Sequence, residues 1–147
     1  MRRFFMIGIV VLALGLLTAA VVQADKLEGT GTIRAIGAGL ARVHGTGRVD
    51  IAAKGVGTVW VRNARTIQAT GRGSRQDLPG GITLFAGWAG HIHVAGEGMT
   101  VEMAGGIIEF KATGTGTVFL QGRGRYWVAG QACDWTPAGV TANLTLE

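Results

Sequence analysis

The chain has very little of what disulfide-linked, helical or strongly charged proteins depend on. Among 147 residues there are one cysteine, Cys133, two prolines and one serine, and charged residues make up only 16%. A single cysteine excludes a disulfide within the chain, so Cys133 is expected to be a small buried residue or an exposed thiol that pairs between chains. No stretch after residue 24 has the apolar spacing of an amphipathic helix.

The residue patterns of common catalytic sites are missing as well. Ser74 lies in an arginine-rich stretch without the G-x-S-x-G context of a serine hydrolase. Cys133 has no histidine near it in sequence, and the nine acidic residues are scattered. No predicted helix and no GK[ST] motif follows any glycine pair, as a phosphate-binding loop requires. We therefore expect no enzymatic activity and no bound cofactor.

The N-terminus has the pattern of an export signal. Arg2 and Arg3 precede an apolar stretch without charges, residues 4–22, and small residues end the stretch at Ala24. Residues 1–24 are predicted to be a signal peptide, and the alternative is an uncleaved anchor that holds the protein in the inner membrane through residues 4–22. Either form exports residues 25–147 to the periplasm or out of the cell.

The charge balance is only mildly basic. The whole chain carries a formal net charge of +5, which becomes +3 when Arg2 and Arg3 are left out. A nucleic-acid-binding protein needs clustered positive charge, and an exported protein meets little nucleic acid. The expected partners are therefore an envelope glycan, a lipid headgroup or a protein.

Glycine is abundant, with 26 residues, and it follows a strict two-residue period. From Leu27 to Val61 every odd position is apolar or glycine, which predicts extended chain with one buried face. Glycine pairs recur on that face and predict places where the sheet bends or another backbone approaches. Gly31→Val and Gly116→Val are expected to destabilise the fold, and Thr30→Val is not. The pairs are 29/31, 37/39, 45/47 and 55/57.

Interruptions of the period predict where the chain turns. The alternation breaks at 63–65 and resumes on odd positions, and the buried positions change between even and odd numbers at 96–98 and 104–106, which predicts turns at all three places. Residues 74–81, "SRQDLPGG", lose the period and carry turn-forming residues, which predicts a loop.

Two stretches, 29–45 and 114–130, share the pattern G-T-G-T-[IV]-x-x-x-G-x-G-x-x-x-V-x-G. This repeat predicts two similar halves within one glycine-rich domain, residues 25–147. The expected fold is all-β, a compact and strongly coiled antiparallel β-sandwich or semi-barrel. A β-solenoid with eight-residue faces is the alternative, and the irregular turns favour the sandwich.

The motifs "GTGTI…GAG…GTG", "FAGWAGHIHVAG" and "ATGTGTVFLQGRGRYW" extend over most of residues 25–147. In these motifs the chain resembles a group of small, exported, glycine-rich all-β bacterial proteins of uncharacterised function. The resemblance rests on glycine spacing, so it implies a β fold, and no catalytic residues are carried over from it.

Two sets of residues are candidates for binding. His91 and His93 are expected on the outward face of one strand, where two imidazoles could bind a metal ion together with further ligands. Aromatic and arginine side chains also fall on outward positions. Burial of the aromatic residues by the other half is the favoured explanation, and a partner-binding surface is the alternative. The second set contains Trp60, Phe119, Trp127, Arg34, Arg42 and Arg62.

Together these features predict a non-enzymatic exported protein with a structural or binding role at the bacterial envelope or outside the cell. Self-association through open sheet edges is a further possibility, because unpaired strands accept other strands. The rival prediction is a periplasmic protein that binds a metal ion or another small ligand through His91 and His93.

Overall fold

A computed structural model describes residues 26–29 and 31–145, so the predicted signal segment and Thr30 lie outside the described residues. The described chain consists almost entirely of strands and contains no helix, which confirms the all-β prediction. The strands are β1 (Lys26–Gly29), β2 (Thr32–Lys54), β3 (Thr58–Arg62), β4 (Thr66–Leu78), β5 (Ile82–Val128), β6 (Gln131–Asp134) and β7 (Val140–Leu144).

Strands β2 and β5 are long because they bend instead of ending. Along each of these strands the neighbouring segment changes about every eight residues. The segments fall into two groups, and each segment pairs only within its own group. Inward side chains from both groups form one core, so the two groups are the two layers of a sandwich. In order across the sheet, the first layer contains 131–134, 125–128, 33–37, 108–112, 47–52, 89–95 and 66–72, and the second contains 26–29, 140–144, 116–120, 39–45, 99–104, 58–62, 82–86 and 74–78.

Glycines occupy the corners where the chain passes from one layer to the other. Gly45 lies opposite Gly116 in the antiparallel register. A Cβ atom on Gly116 would lie 2.7 Å from the Cα atom of Gly45 and would collide with the carbonyl oxygen of His44. The glycines are therefore needed because two backbones approach at each bend, as their spacing predicts. The other facing pairs are Gly37 with Gly124, Gly39 with Gly122, Gly47 with Gly114, Gly57 with Gly105 and Gly71 with Gly90.

One corner also needs glycine for its backbone torsion angles. The φ angle is +131° at Gly39 and +130° at Gly122, which faces it. A residue with a side chain is strained in this region of φ. Any substitution at this corner therefore adds backbone strain to the collision with the facing strand.

A single apolar core lies between the layers. The inward positions that the two-residue period predicts are buried, which confirms the period in both long strands. Trp135, outside that period, is only 4% exposed, and its indole N–H donates to the carbonyl oxygen of Arg125 over 3.2 Å. Buried residues on predicted inward positions include Ile33, Val43, Val49, Ile51, Val59, Val61, Ile92, Val94, Met99, Val101, Met103, Phe110, Val118, Leu120, Tyr126 and Val128.

The two stretches with the shared glycine pattern pair with each other. Residues 33–45 run antiparallel to 116–128, so that the glycines of one stretch meet those of the other. Each layer takes segments from both stretches, and the halves are therefore interleaved and not side by side. The antiparallel neighbours of β2 and β5 also differ from the parallel stacking of a β-solenoid, which leaves the sandwich or semi-barrel as the fold.

The predicted loop at 74–81 is wrong over most of its length. Strand β4 continues to Leu78, and only 79–81 form a turn. The apolar period lapses here because β4 is the edge strand of both layers, where inward side chains still reach solvent. By contrast, the predicted turn at 63–65 is confirmed. The turns predicted at 96–98 and 104–106 are wrong, because these residues belong to strand β5, which passes there from one layer to the other.

Charged side chains occupy inward positions on the β4 edge. Arg75 lies opposite the buried Phe85, with its guanidinium carbon 5.5 Å from the ring centroid. Asp77 lies opposite Thr83 and accepts a 2.9 Å hydrogen bond from its hydroxyl. Inward-pointing charges hinder the addition of another strand to an edge. Self-association through sheet edges therefore remains a prediction for β1 and β6, at the other side of the layers.

Candidate ligand-binding groove

Five polar side chains form a line across the outer face of the first layer. In the strand register Arg34 pairs with Lys111, Lys111 with Asp50, Asp50 with His93, and His93 with Gln68. Opposed residues of neighbouring strands project on the same side of a sheet. Strand pairing alone thus brings together side chains from distant parts of the sequence. We name Arg34, Lys111, Asp50, His93 and Gln68 the polar row.

The polar row lies along an open groove of about 600 Å³. Thr70, His91 and Glu109, one step further along the strands, line the same groove. Its volume is in the range of small-molecule binding sites. A second cavity, beside the corner at Gly45 and Gly116, has about 20 Å³, which is room for roughly one water molecule.

Two carboxylates of the groove contact basic side chains. Oδ1 of Asp50 lies 2.5 Å from Nδ1 of His93. Glu109 lies between Arg34 and Lys54, at N–O distances of 3.9 and 3.7 Å. Ion pairs between such solvent-accessible side chains stabilise a fold by about 1 kcal/mol at most. Their main effect is to orient the side chains in the groove.

One end of the polar row has excess positive charge. Lys111 is exposed and has no ion pair within the described part of the chain. The guanidinium of Arg34 lies 5.8 Å from the ring centroid of Trp127, a cation–π contact that orients it beside Lys111. The opposite end, at Gln68 and Thr70, carries neutral hydrogen-bonding groups.

His91 and His93 lie on the outer face of segment 89–95, as their spacing predicts. The ring of His93 contacts Asp50, whereas His91 is exposed. No group of three or more His, Cys, Asp or Glu side chains that could hold a metal ion occurs among residues 26–29 and 31–145. The metal site therefore stays a prediction, and it would need ligands beyond these two imidazoles and Asp50.

The six predicted partner-binding residues do not form one surface. Arg34 and Trp127 lie on the outer face of the first layer, where they adjoin the groove. The other four occupy the outer face of the second layer. These four are Arg42, Trp60, Arg62 and Phe119.

The outer face of the second layer is centred on an ion pair between aromatic rings. Arg42 donates from Nε to Oε1 of Glu102 over 2.8 Å, and its Nη2 atom contacts the same oxygen. In the register Arg42 pairs with Phe119, and Glu102 pairs with Trp60. Both rings are half-buried, and Phe119 packs against Gly139. We name Phe119, Arg42, Glu102 and Trp60 the aromatic row.

Five polar residues of the groove are missing from the sequence-based candidates: Asp50, Gln68, Thr70, Glu109 and Lys111. For Asp50 the alternation already predicts an outward position. What the alternation lacks is the register, which decides that Asp50 meets His93 and that Lys111 lies beside Arg34. The facing of glycine pairs gives one part of that register, since it aligns 33–51 with 110–128 and thereby places Asp50 opposite Lys111.

Comparison of the chain with protein-family models, curated proteins and solved structures finds no match in any of the three. Within 26–29 and 31–145 there is no helix with the length and apolar character of a membrane span.

Proposed function

We propose that the chain is a non-enzymatic protein, exported to the periplasm or out of the bacterial cell, that binds a ligand of the envelope in the groove of the first layer. The export proposal rests on the pattern of residues 1–24. The binding proposal rests on one observation, the polar row along an open groove.

The polar row suits binding because rigid elements hold it. Four of its side chains project from segments in the interior of the first layer, and the fifth, Gln68, lies on the edge strand of that layer. Binding groups on strands lose less conformational freedom when a ligand arrives than groups on loops do. The buried Phe110, between Glu109 and Lys111, anchors the floor of the groove.

The test is to fractionate cells that make the protein, determine the N-terminus of the mature chain, and measure how much envelope material the purified protein retains. We expect an N-terminus at Asp25 and lower retention by the double variant Arg34→Gln/Lys111→Gln. The matched control is Arg65→Gln/Arg123→Gln, which removes two exposed charges outside the groove lining. Equal retention by the two double variants would contradict the groove, and a cytoplasmic location would contradict export.

The second candidate function is binding of a metal ion or another small ligand through His91 and His93. It is favoured by their common face and by the position of Asp50 beside His93. Zinc or copper should then raise the melting temperature of the wild type and leave that of His91→Ala unchanged. If both melting temperatures stay constant across a metal titration, the metal site does not exist.

A further inference from the structure

We propose that the groove of the first layer binds an acidic oligosaccharide, a chain of neutral sugar units that carries one unit with a carboxylate. The sugar chain lies along the polar row, across the strands, with a carboxylate at Arg34 and Lys111. This inference rests on the proposed binding function and adds the chemical class of the ligand.

The mixture of donors and acceptors fits sugar hydroxyls. A hydroxyl group both donates and accepts hydrogen bonds, so its site needs acceptors as well as donors. Carboxylates of Asp50 and Glu109 supply acceptors, and the amide of Gln68 supplies both kinds of group. The pairing of Asp50 with His93 holds its carboxylate in place and leaves its second oxygen outside that contact.

The charged end of the groove fits a carboxylate. Arg34 and Lys111 are direct cross-strand neighbours, and the nearest ion-pair contact of Arg34, to Glu109, is as long as 3.9 Å. Two cations this close repel each other, and an anion between them removes the repulsion. The half-buried indole of Trp127 orients the guanidinium, so that Arg34 is already placed for the ligand.

The geometry of the row suits a chain of repeating units. Neighbouring strands lie about 4.8 Å apart, which is close to the length of one sugar unit. The five residues of the polar row occupy five successive segments, from 33–37 to 66–72. An extended oligosaccharide across the strands therefore meets a new polar side chain with each unit.

The same residues disfavour two other polymeric or lipid ligands. Asp50 and Glu109 would repel the closely spaced phosphates of a nucleic acid, which is bound through clusters of cations. A lipid headgroup would use the cationic end alone and would leave Gln68, Thr70 and His91 without contacts. An acidic sugar chain uses both ends of the groove.

The experiment is calorimetric titration of the purified mature protein with aldotetraouronic acid, a chain of three xylose units and one glucuronate unit, and with two comparison ligands. Xylotetraose is a neutral sugar chain, and tetraglutamate is an acidic chain without sugar. We expect aldotetraouronic acid to bind at least about tenfold more tightly than either, since charge-assisted hydrogen bonds to Arg34 and Lys111 add to the hydroxyl contacts. Equal affinity for xylotetraose would overturn the acidic requirement, and equal affinity for tetraglutamate would overturn the sugar requirement.

Variants locate the binding. Arg34→Gln/Lys111→Gln should weaken the binding of aldotetraouronic acid about tenfold or more, and Gln68→Ala should weaken it by a smaller factor. The control Arg65→Gln/Arg123→Gln should stay within about twofold of wild type, with melting temperatures confirming that every variant is folded. Unchanged binding in Arg34→Gln/Lys111→Gln would overturn the assignment to the groove. If no saccharide binds but retention of envelope material still depends on Arg34 and Lys111, this inference fails and the proposed function stands.

Discussion

The outer faces of the two layers are built from the same bent strands, yet they carry different side chains. On the first layer the polar row lines a groove, and its charges are partly unpaired. On the second layer the aromatic row places Arg42 and Glu102 in a close pair between two half-buried rings. Both faces follow one period in the sequence. The difference shows that alternation determines whether a side chain points inward or outward. The strand register determines which outward side chains become neighbours, and therefore whether they form the polar row or the aromatic row.

The largest expected effect comes from breaking a corner, because each corner joins the two layers. Gly116→Val should destabilise the protein by about 2–6 kcal/mol or prevent folding, since the new side chain collides with the backbone at His44 and Gly45. Denaturant unfolding measures this effect.

The control for the corner is Gly106→Val, at an exposed glycine with no atom within 4 Å of a Cβ position. It should change the free energy of unfolding by less than about 1 kcal/mol. If Gly106→Val and Gly116→Val lower the free energy of unfolding by similar amounts, the close approach of two backbones is not the reason that the corners need glycine.

A smaller effect is expected from removing one phenylalanine from each layer. Phe110→Ala should cost about 3–5 kcal/mol, because the ring is 2% exposed and lies beneath the groove. Phe119→Ala should cost about 1–2 kcal/mol, because that ring is only half-buried on the outer face of the second layer. Thermal or chemical unfolding of the two variants compares them directly. Equal costs would mean that the aromatic row belongs to the core and is not a surface.

A change in stability as small as that of Phe119→Ala is expected for Trp60→Ala, which separates the two faces by function. The half-buried indole should contribute about 1–2 kcal/mol, and the groove should keep its affinity for ligand. If the aromatic row binds an envelope partner, the variant should retain less envelope protein while remaining folded. A variant that retains as much protein as wild type would leave the aromatic row without a partner, and one that unfolds would assign Trp60 to stability alone.

The sequence predicts the fold class and the buried positions because both depend on local alternation. Ile33 and Val118 are buried for the same reason that every second neighbour is. The loop predicted at 74–81 fails because Arg75 and Asp77 occupy inward positions that an interior strand would give to apolar residues. At an open edge these side chains reach solvent, so the usual pattern does not apply.

The candidate site is predictable only in part. The outward positions of His91 and His93 follow from Ile92 between them. The contact of His93 with Asp50 joins strands that are far apart in the chain, and it depends on long-range register. Local periodicity contains no information about that register. The same limit explains why Arg34 and Arg42, eight residues apart, were assigned to one surface although they lie on opposite faces of the sandwich.

Because the chain passes from one layer to the other at nearly every corner, neither layer is built from consecutive segments. Each layer needs segments from the beginning, the middle and the end of the described chain, and Ile33 pairs with Val128 near its C-terminal end. Neither layer can close before the last strands are available. We therefore expect one cooperative folding step with a slow, nonlocal search, and no stable intermediate in which only the first half of the chain is folded.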